Sequence, residues 1–482
     1  MKRINCKNLP LPLSESSRTD FSKEGDYPSF WKREVRRDFP IQYRYSPVVH
    51  GSLFYCVVMF VLIVLLPPVP ATAQEMKVLT LPQALEIAAE KNHDIQKARE
   101  YFRWVRGKYV EERAAALPQL TATGSAVTTR DRTWVLPDRQ KSFSGEVGVT
   151  QTLFTWGKVD AAIQAAKEGI KTAEEQLRFY RQAAYRDVSI AFYDILLSRE
   201  LHAIALQNLG QKERHLEEAK RKYSAGVATD YEILAAEVAV ENARPEVIRS
   251  ENRIRDALDR LRFLLALEDG RIDVIGSLEA GDVPAVQIYD VIYKTALEQR
   301  PEVRDLRYRI SIAGELVTIA NADDKPRLEF RGGYGWKGYE AGDTDTDGPA
   351  WSAGMFLTFP FFDGMRTRGR VAQAESDLSS IKIDEEKLSD SIALQAREAL
   401  NSVQESREIV DALSGTVKQA EKLLSLSEKG YELGVKIRLE VEDAELNLQQ
   451  AKGNLIRAWR DYLAARVNLL WVMGVLGESA YQ

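Results

Sequence analysis

The chain repeats itself. With a shift of 208 residues, Ala88-Ala89-Glu90 faces Ala296-Leu297-Glu298, and Pro118-Gln119-Leu120 faces Pro326-Arg327-Leu328. The same shift sets Tyr223-Ser224-Ala225-Gly226-Val227 against Tyr431-Glu432-Leu433-Gly434-Val435, and Ala236-Glu237 against Ala444-Glu445. Between these blocks a shift of 207 aligns Phe154-Thr155-Trp156-Gly157 with Phe361-Phe362-Asp363-Gly364. An offset held to within one residue over nearly 200 positions marks a duplication rather than biased composition. The expected units are residues 74–280 and 281–482.

Each unit reads as helix, β-hairpin, long helix and heptad helix. In the first, apolar residues recur every seven positions at Leu81, Ala88, Ile95, Phe102, Tyr109 and Ala116. That spacing predicts one helix of about 35 residues, opened by Pro82 in its first turn and ended before Pro118. Strand-like alternation follows at 119–129 and 143–154, giving a first hairpin at 118–155. After Gly157 the heptad-spaced Ile163, Ile170, Leu177, Ala184 and Ala191 predict a helix running to about Ala225, too long for an ordinary globule. The fourth element carries Ile233, Val240, Val247, Ile254 and Leu261 at one seam position. Three residues on come Ala236, Ala243, Ser250, Ala257 and Leu264. Shifted by 208, the same seam reads Val441, Leu448, Leu455, Tyr462 and Leu469 with Ala444, Ala451, Ala458, Ala465 and Val472. Large side chains at one position and small ones at the other describe a close-packed coiled coil. Pro245 inside the first copy is expected to bend that helix.

The second hairpin, 326–362, is richer in aromatic and apolar residues. Leu328, Phe330, Tyr334 and Trp336 flank Gly332, Gly333 and Gly335, and Trp351, Ala353, Met355, Leu357 and Phe359 alternate with small polar residues. Such strands suit a bilayer, with a periplasmic hairpin packed on the helices as the alternative. The acidic, glycine-rich stretch 338–349 between them reads as a solvent-facing loop, and its Asp343, Asp345 and Asp347 lack the downstream glutamate of a calcium loop. Four strands cannot span lipid alone, because their open edges leave backbone groups unsatisfied. Two chains would close an eight-stranded barrel filled by side chains, whereas three would close a 12-stranded pore.

Residues 53–66 form an uninterrupted apolar run that ends near Ala71-Thr72-Ala73. At about 1.5 Å per residue it falls short of a bilayer core, so residues 1–73 are expected to be a leader ending in a signal peptide cleaved before Gln74. A short retained anchor is the alternative, and the long stretch before the run fits a start codon assigned too early. Cys6 and Cys56 both fall in this leader, and Tyr55 before Cys56 argues against a lipoprotein site. The remainder has 56 Lys/Arg against 65 Asp/Glu, a net charge of -9, with no basic excess to suggest nucleic acid.

The order of elements written twice, with Tyr-x-x-Gly-Val followed by an acidic residue and Ala-Glu, resembles the TolC-like outer-membrane efflux proteins over about 78–475. The resemblance implies a mainly α fold with a β-barrel portion, in which tandem repeats form a helical barrel continuous with a transmembrane β-barrel on trimerisation. It implies residence in the outer membrane with the helical part in the periplasm. It also implies a homotrimer docked to a periplasmic adaptor (membrane fusion) protein and an inner-membrane pump, exporting through a tripartite efflux or type I secretion system. The family's adaptor-docking tips fall on Gly226, Val227 and Thr229 in the first copy and Gly434 and Val435 in the second. Its gate positions fall on Tyr431, Lys436, Glu440 and Asp443, with Glu232 as the acidic partner on the first copy. Lys436 stands where the family has arginine, so a bidentate fork is lost there. Glu440 and Asp443 would ring the constriction and favour cations; as pattern alone they also read as solvated coiled-coil flanks.

Other classes fit less well. Beyond the leader only His93, His202 and His215 remain, on separated helices and read as solvated, so no catalytic or metal site and no cofactor is expected. A periplasmic coiled-coil adaptor or structural protein is the alternative to a channel, but an adaptor would carry one helical hairpin and lipoyl-like strands.

Overall fold

The computed structural model of the chain describes residues 77–130, 139–267, 271–279 and 288–477. The expected leader, its cleavage point and both cysteines lie outside the described residues, as does most of the first hairpin's loop, residues 131–138. In chain order, β1 (Lys77–Leu79), α1 (Leu81–Lys91), α2 (His93–Ala114), β2 (Gln119–Thr129), β3 (Gln140–Phe154), α3 (Lys158–Ser224) and α4 (Asp230–Leu264) come first. After β4 (Ile272–Val274) follow α5 (Tyr289–Gln299), α6 (Pro301–Asn321), β5 (Arg327–Ala341), β6 (Thr344–Thr358), α7 (Arg366–Glu432) and α8 (Arg438–Val472). The long helices α3 and α7 each hold 67 residues, and the heptad helices α4 and α8 each hold 35. At 1.5 Å per residue α3 and α7 reach about 100 Å. Every heptad-seam residue of α4 and α8 is buried or half-buried. Pro245 removes one backbone donor, yet α4 runs through it to the same length as its counterpart.

The helix expected over 81–116 is two helices. Asn92 is extended (φ -55°, ψ 130°), and its side-chain oxygen accepts from the backbone N–H groups of Asp94 and Ile95 while its amide donates 2.9 Å to the Leu264 carbonyl. In the second copy Arg300 has the same extended backbone because Pro301 follows it. A single capped residue breaks the helix without shifting its heptad seam, so periodicity alone could not reveal the break. The offset of 207 near the starts of the long helices is also corrected. Trp156 and Gly157 (φ 52° and 81°) correspond in conformation to Gly364 and Met365 (both φ 69°), an offset of 208. Two consecutive left-handed residues turn each strand into its helix. Glycine fills the second place in one copy and the first in the other.

The main core is a belt around the middle of α3. There Tyr185, Val188, Phe192, Ile195 and Leu196 pack against Leu85 of α1 and Leu261 and Leu265 at the end of α4. The parallel pair β1–β4 closes over this belt through Leu79 and Val274. Away from the belt, α7 and α8 are held by a narrow seam that includes Val403, Val410, Ala458 and Tyr462.

The remaining strands form one antiparallel sheet in the order β2-β3-β5-β6, which leaves β2 and β6 as its edges. Over the middle of the sheet, register separates most apolar from most polar residues, although Phe356 falls on the polar face and the Lys141–Glu340 pair on the apolar one. Leu120, Val147 and Val149 share one face with Phe330, Tyr334, Trp336, Trp351, Met355 and Leu357. Thr121, Thr123, Ser144, Glu146 and Thr150 share the other with Glu329, Arg331, Lys337 and Ser352. Among the described residues nothing covers the apolar face: Trp351 is 78% exposed, Met355 71% and Leu357 69%. The stretch expected as a loop at 338–349 is mostly strand. β5 and β6 pair up to Ala341–Thr344, leaving only Gly342 and Asp343 in the turn. Alternating glycines and threonines tolerate pairing there, and Asp347 is fixed by the Trp336 indole at 2.9 Å.

Candidate functional site

At the far end of the long helices, each copy turns back on itself at a glycine. Gly226 (φ 73°) and Gly434 (φ 72°) adopt the left-handed conformation that a side chain disfavours. Around each, the same two hydrogen bonds close the helix: Gly226 N–H to Tyr223 O and Val227 N–H to Lys222 O, then Gly434 N–H to Tyr431 O and Val435 N–H to Gly430 O. Each following helix is capped by an acid three residues in. Thr229 N–H donates 3.1 Å to Glu232, and Ile437 N–H donates 3.1 Å to Glu440. The two tips are one structure made twice. Their apolar side chains face outward: Val227 is 73% exposed and Val435 81%.

Where α3 of the first copy lies beside the second copy's tip, four side chains form a cross-link. Lys222 Nζ donates to the Tyr431 hydroxyl at 2.7 Å and pairs with Glu218 at 2.9 Å. Arg438, at the start of α8, donates to the other Glu218 oxygen at 2.8 Å and to Glu442 at 3.3 Å. Both cations lie against the Tyr431 ring, 5.1 Å and 5.7 Å from its centroid. Burial alone would push the Glu218 carboxyl up, but the hydrogen bonds and charges of Lys222 and Arg438 outweigh it and hold it at about 2. Lys222 in turn is raised by its bonds to Tyr431 and Glu218. Its proton therefore stays on at neutral pH.

Of the residues that sequence singled out, Tyr431 is the one placed in this cross-link. Lys436 folds back within its own hairpin, 3.3 Å from Ser427 Oγ and 3.6 Å from Glu440. Glu232 is occupied with its cap at Thr229, on the exposed side of the first tip. Asp443 and Glu440 lie three residues apart on one exposed flank of α8. Glu218, Lys222 and Arg438 escaped sequence reasoning, although a signal existed. Shifted by 208, the pair Tyr431 and Arg438 becomes Tyr223 and Asp230. In the first copy Asp230 accepts from the Tyr223 hydroxyl, which raises that phenol. Opposite charges thus occupy equivalent places, and only the second copy can hold Glu218 with an arginine.

His202 and His215, read as solvated, are corrected too. His202 Nδ1 lies 2.9 Å from the seam Ser250 Oγ, and His215 Nε2 lies 2.9 Å from Glu445. Both stripes of polar residues face a neighbouring helix, which heptad spacing on one helix cannot show. Among the described residues no group of three or more His, Cys, Asp or Glu side chains is placed to hold a metal. No described helix is long and apolar enough to cross a membrane.

A family model described as outer membrane efflux protein matches residues 84–267 and again 292–475. Outer membrane protein TolC of Vibrio cholerae is 22% identical, over 83% of this chain and 89% of its own length. Outer membrane protein OprJ of Pseudomonas aeruginosa is 26% identical, over 76% of this chain and 78% of its own. Among solved structures, the Campylobacter jejuni CmeC outer membrane channel shares the fold with a TM-score of 0.72 at 17% identity, covering 83% of this chain and 88% of that one.

Proposed function

Because the chain belongs to the outer membrane efflux protein family, we propose that three copies close into one exit duct through the outer membrane, gated where Tyr431, Lys222, Glu218 and Arg438 meet. The observation that carries this reading is the sheet with two uncovered faces and two open edges. A face of Phe330, Tyr334, Trp351, Met355 and Leu357 has no partner among the described residues, and lipid is the surroundings that match it. The opposite face, with Glu146, Glu329, Arg331 and Lys337, needs water. Placing β6 of one chain beside β2 of the next satisfies both edges, and three chains then give 12 strands around an aqueous lumen.

The helices carry the lumen onward from the strands for about 100 Å, a length that suits crossing the periplasm to meet other components. The outward-facing Val227 and Val435, on two near-identical tips per chain, fit docking of an adaptor protein, which in turn would link an inner-membrane pump. Glu440 and Asp443, on one exposed flank of α8 just above the tip, fit a ring of like charges that favours cations. The test is direct. Detergent-extracted outer membranes should yield a trimer that inserts into planar bilayers and conducts. A protein that stays in the soluble fraction as a monomer would favour the periplasmic coiled-coil alternative instead.

A further inference from the structure

A second, separate contact joins the two copies above the tip cross-link. His215 lies on α3 about three turns from Gly226, and its Nε2 is 2.9 Å and 3.1 Å from the two oxygens of Glu445 on α8. Glu445 is only 8% exposed. Lys212, one turn along α3, approaches its carboxylate at 3.7 Å. Several other charged groups at this level are paired. Glu237 of α4 faces Lys220 at 4.0 Å, Glu421 of α7 faces Lys452 at 3.5 Å, and Glu218 and Glu442 hold Arg438. His215 is therefore the group at this contact whose side chain ordinarily changes charge between about pH 5 and 8.

We propose that His215 and Glu445 form a proton-sensitive clasp that tightens when His215 takes up a proton, weighting the duct toward its closed state. A carboxylate only accepts hydrogen bonds, so neutral His215 donates from Nε2 as a neutral donor. A proton added at Nδ1 turns this bond, already assisted by the carboxylate's charge, into an ion pair with a fully charged donor. Glu445 stays ionised throughout. Burial pushes its carboxyl up, but the His215 hydrogen bond and the charges of His215, Lys212 and Arg438 more than offset this, so it sits below its ordinary value. With the carboxyl depressed, its share of the clasp is present above the usual carboxylate range and lost only when pH falls below it. The contact spans α3 and α8, as Glu218–Arg438 does nearer the tip, so any separation of the two copies there must break both.

The inference rests on the channel reading, and its test keeps the two apart. Open probability of the full trimer in planar bilayers is compared between wild type and His215→Gln from pH 7.5 to 5.5. Glutamine keeps a donor but cannot charge. The expected result is a fall in wild-type opening about fivefold steeper than in the variant. Glu445→Gln, which removes the acceptor charge, should flatten the response in the same way. Acidic residues elsewhere at the tip titrate equally in all three proteins and cancel from the comparison. Superimposable pH curves for wild type and His215→Gln would overturn the clasp while leaving the channel intact. Absence of conductance in all three would instead overturn the channel reading.

Discussion

Arg438→Gln tests the tip cross-link, and its magnitude follows from Glu218. A carboxyl held at about 2 rather than near its ordinary 4.5 corresponds to roughly 3 kcal/mol of favourable interaction at neutral pH. The Glu218 side chain is 32% exposed and Arg438 28%, so solvent screening reduces this to about 1–2 kcal/mol. Lys222 supplies part of it and remains in the variant. Losing Arg438 should therefore cost about 1 kcal/mol per chain, or about a fivefold shift toward opening at each tip. Single-channel recording at neutral pH reads this as raised open probability. A double-mutant cycle with Glu218→Gln isolates the pair, and a coupling of about 1 kcal/mol is expected. Additivity to within about 0.3 kcal/mol would refute the reasoning. The sign with pH is also fixed. Because the Glu218 carboxyl is depressed, the cross-link is at full strength above its ordinary value and is lost as pH falls toward about 2.

Three further outcomes are expected. Tyr431→Phe removes the acceptor of the 2.7 Å bond from Lys222 but keeps the ring beneath both cations, so opening should rise by only about threefold; no change would place the energy in the ring alone. Lys436→Ala should raise conductance less than Arg438→Gln, because its bonds to Ser427 and Glu440 stay inside one hairpin; an equal or larger rise would make Lys436 the stronger latch. Gly338→Leu should impair assembly, since a Cβ there would collide with the Phe143 ring that lies across it; the trimer yield from outer membranes checks this, and a normal yield would show that the ring moves aside freely.

Sequence determined the repeat, the strand pairs, the long helices and the heptad seams, because each is written in local periodicity. A seam of Val441, Leu448 and Tyr462 beside Ala444, Ala451 and Ala458 leaves a chain few other ways to bury its apolar surface. Glycine at 226 and 434 marked both turns for a similarly local reason: the left-handed backbone excludes most other residues. The break at Asn92 was invisible because one capped residue does not disturb the seven-residue count.

What the tertiary structure alone decided is which copy touches which. Glu218, Lys222 and Arg438 are not singled out by the local pattern, and His215 reads there as solvated. Their partners lie some 200 residues away, on the other copy. Side-chain reach across a coiled coil depends on the rotation and stagger of two helices, neither of which one helix's pattern encodes. The duplication made the two tips alike, and packing made them partners. Opposite charges at Asp230 and Arg438 then let the second copy's arginine grip the first copy's Glu218, an asymmetry that becomes a contact only when the copies lie side by side.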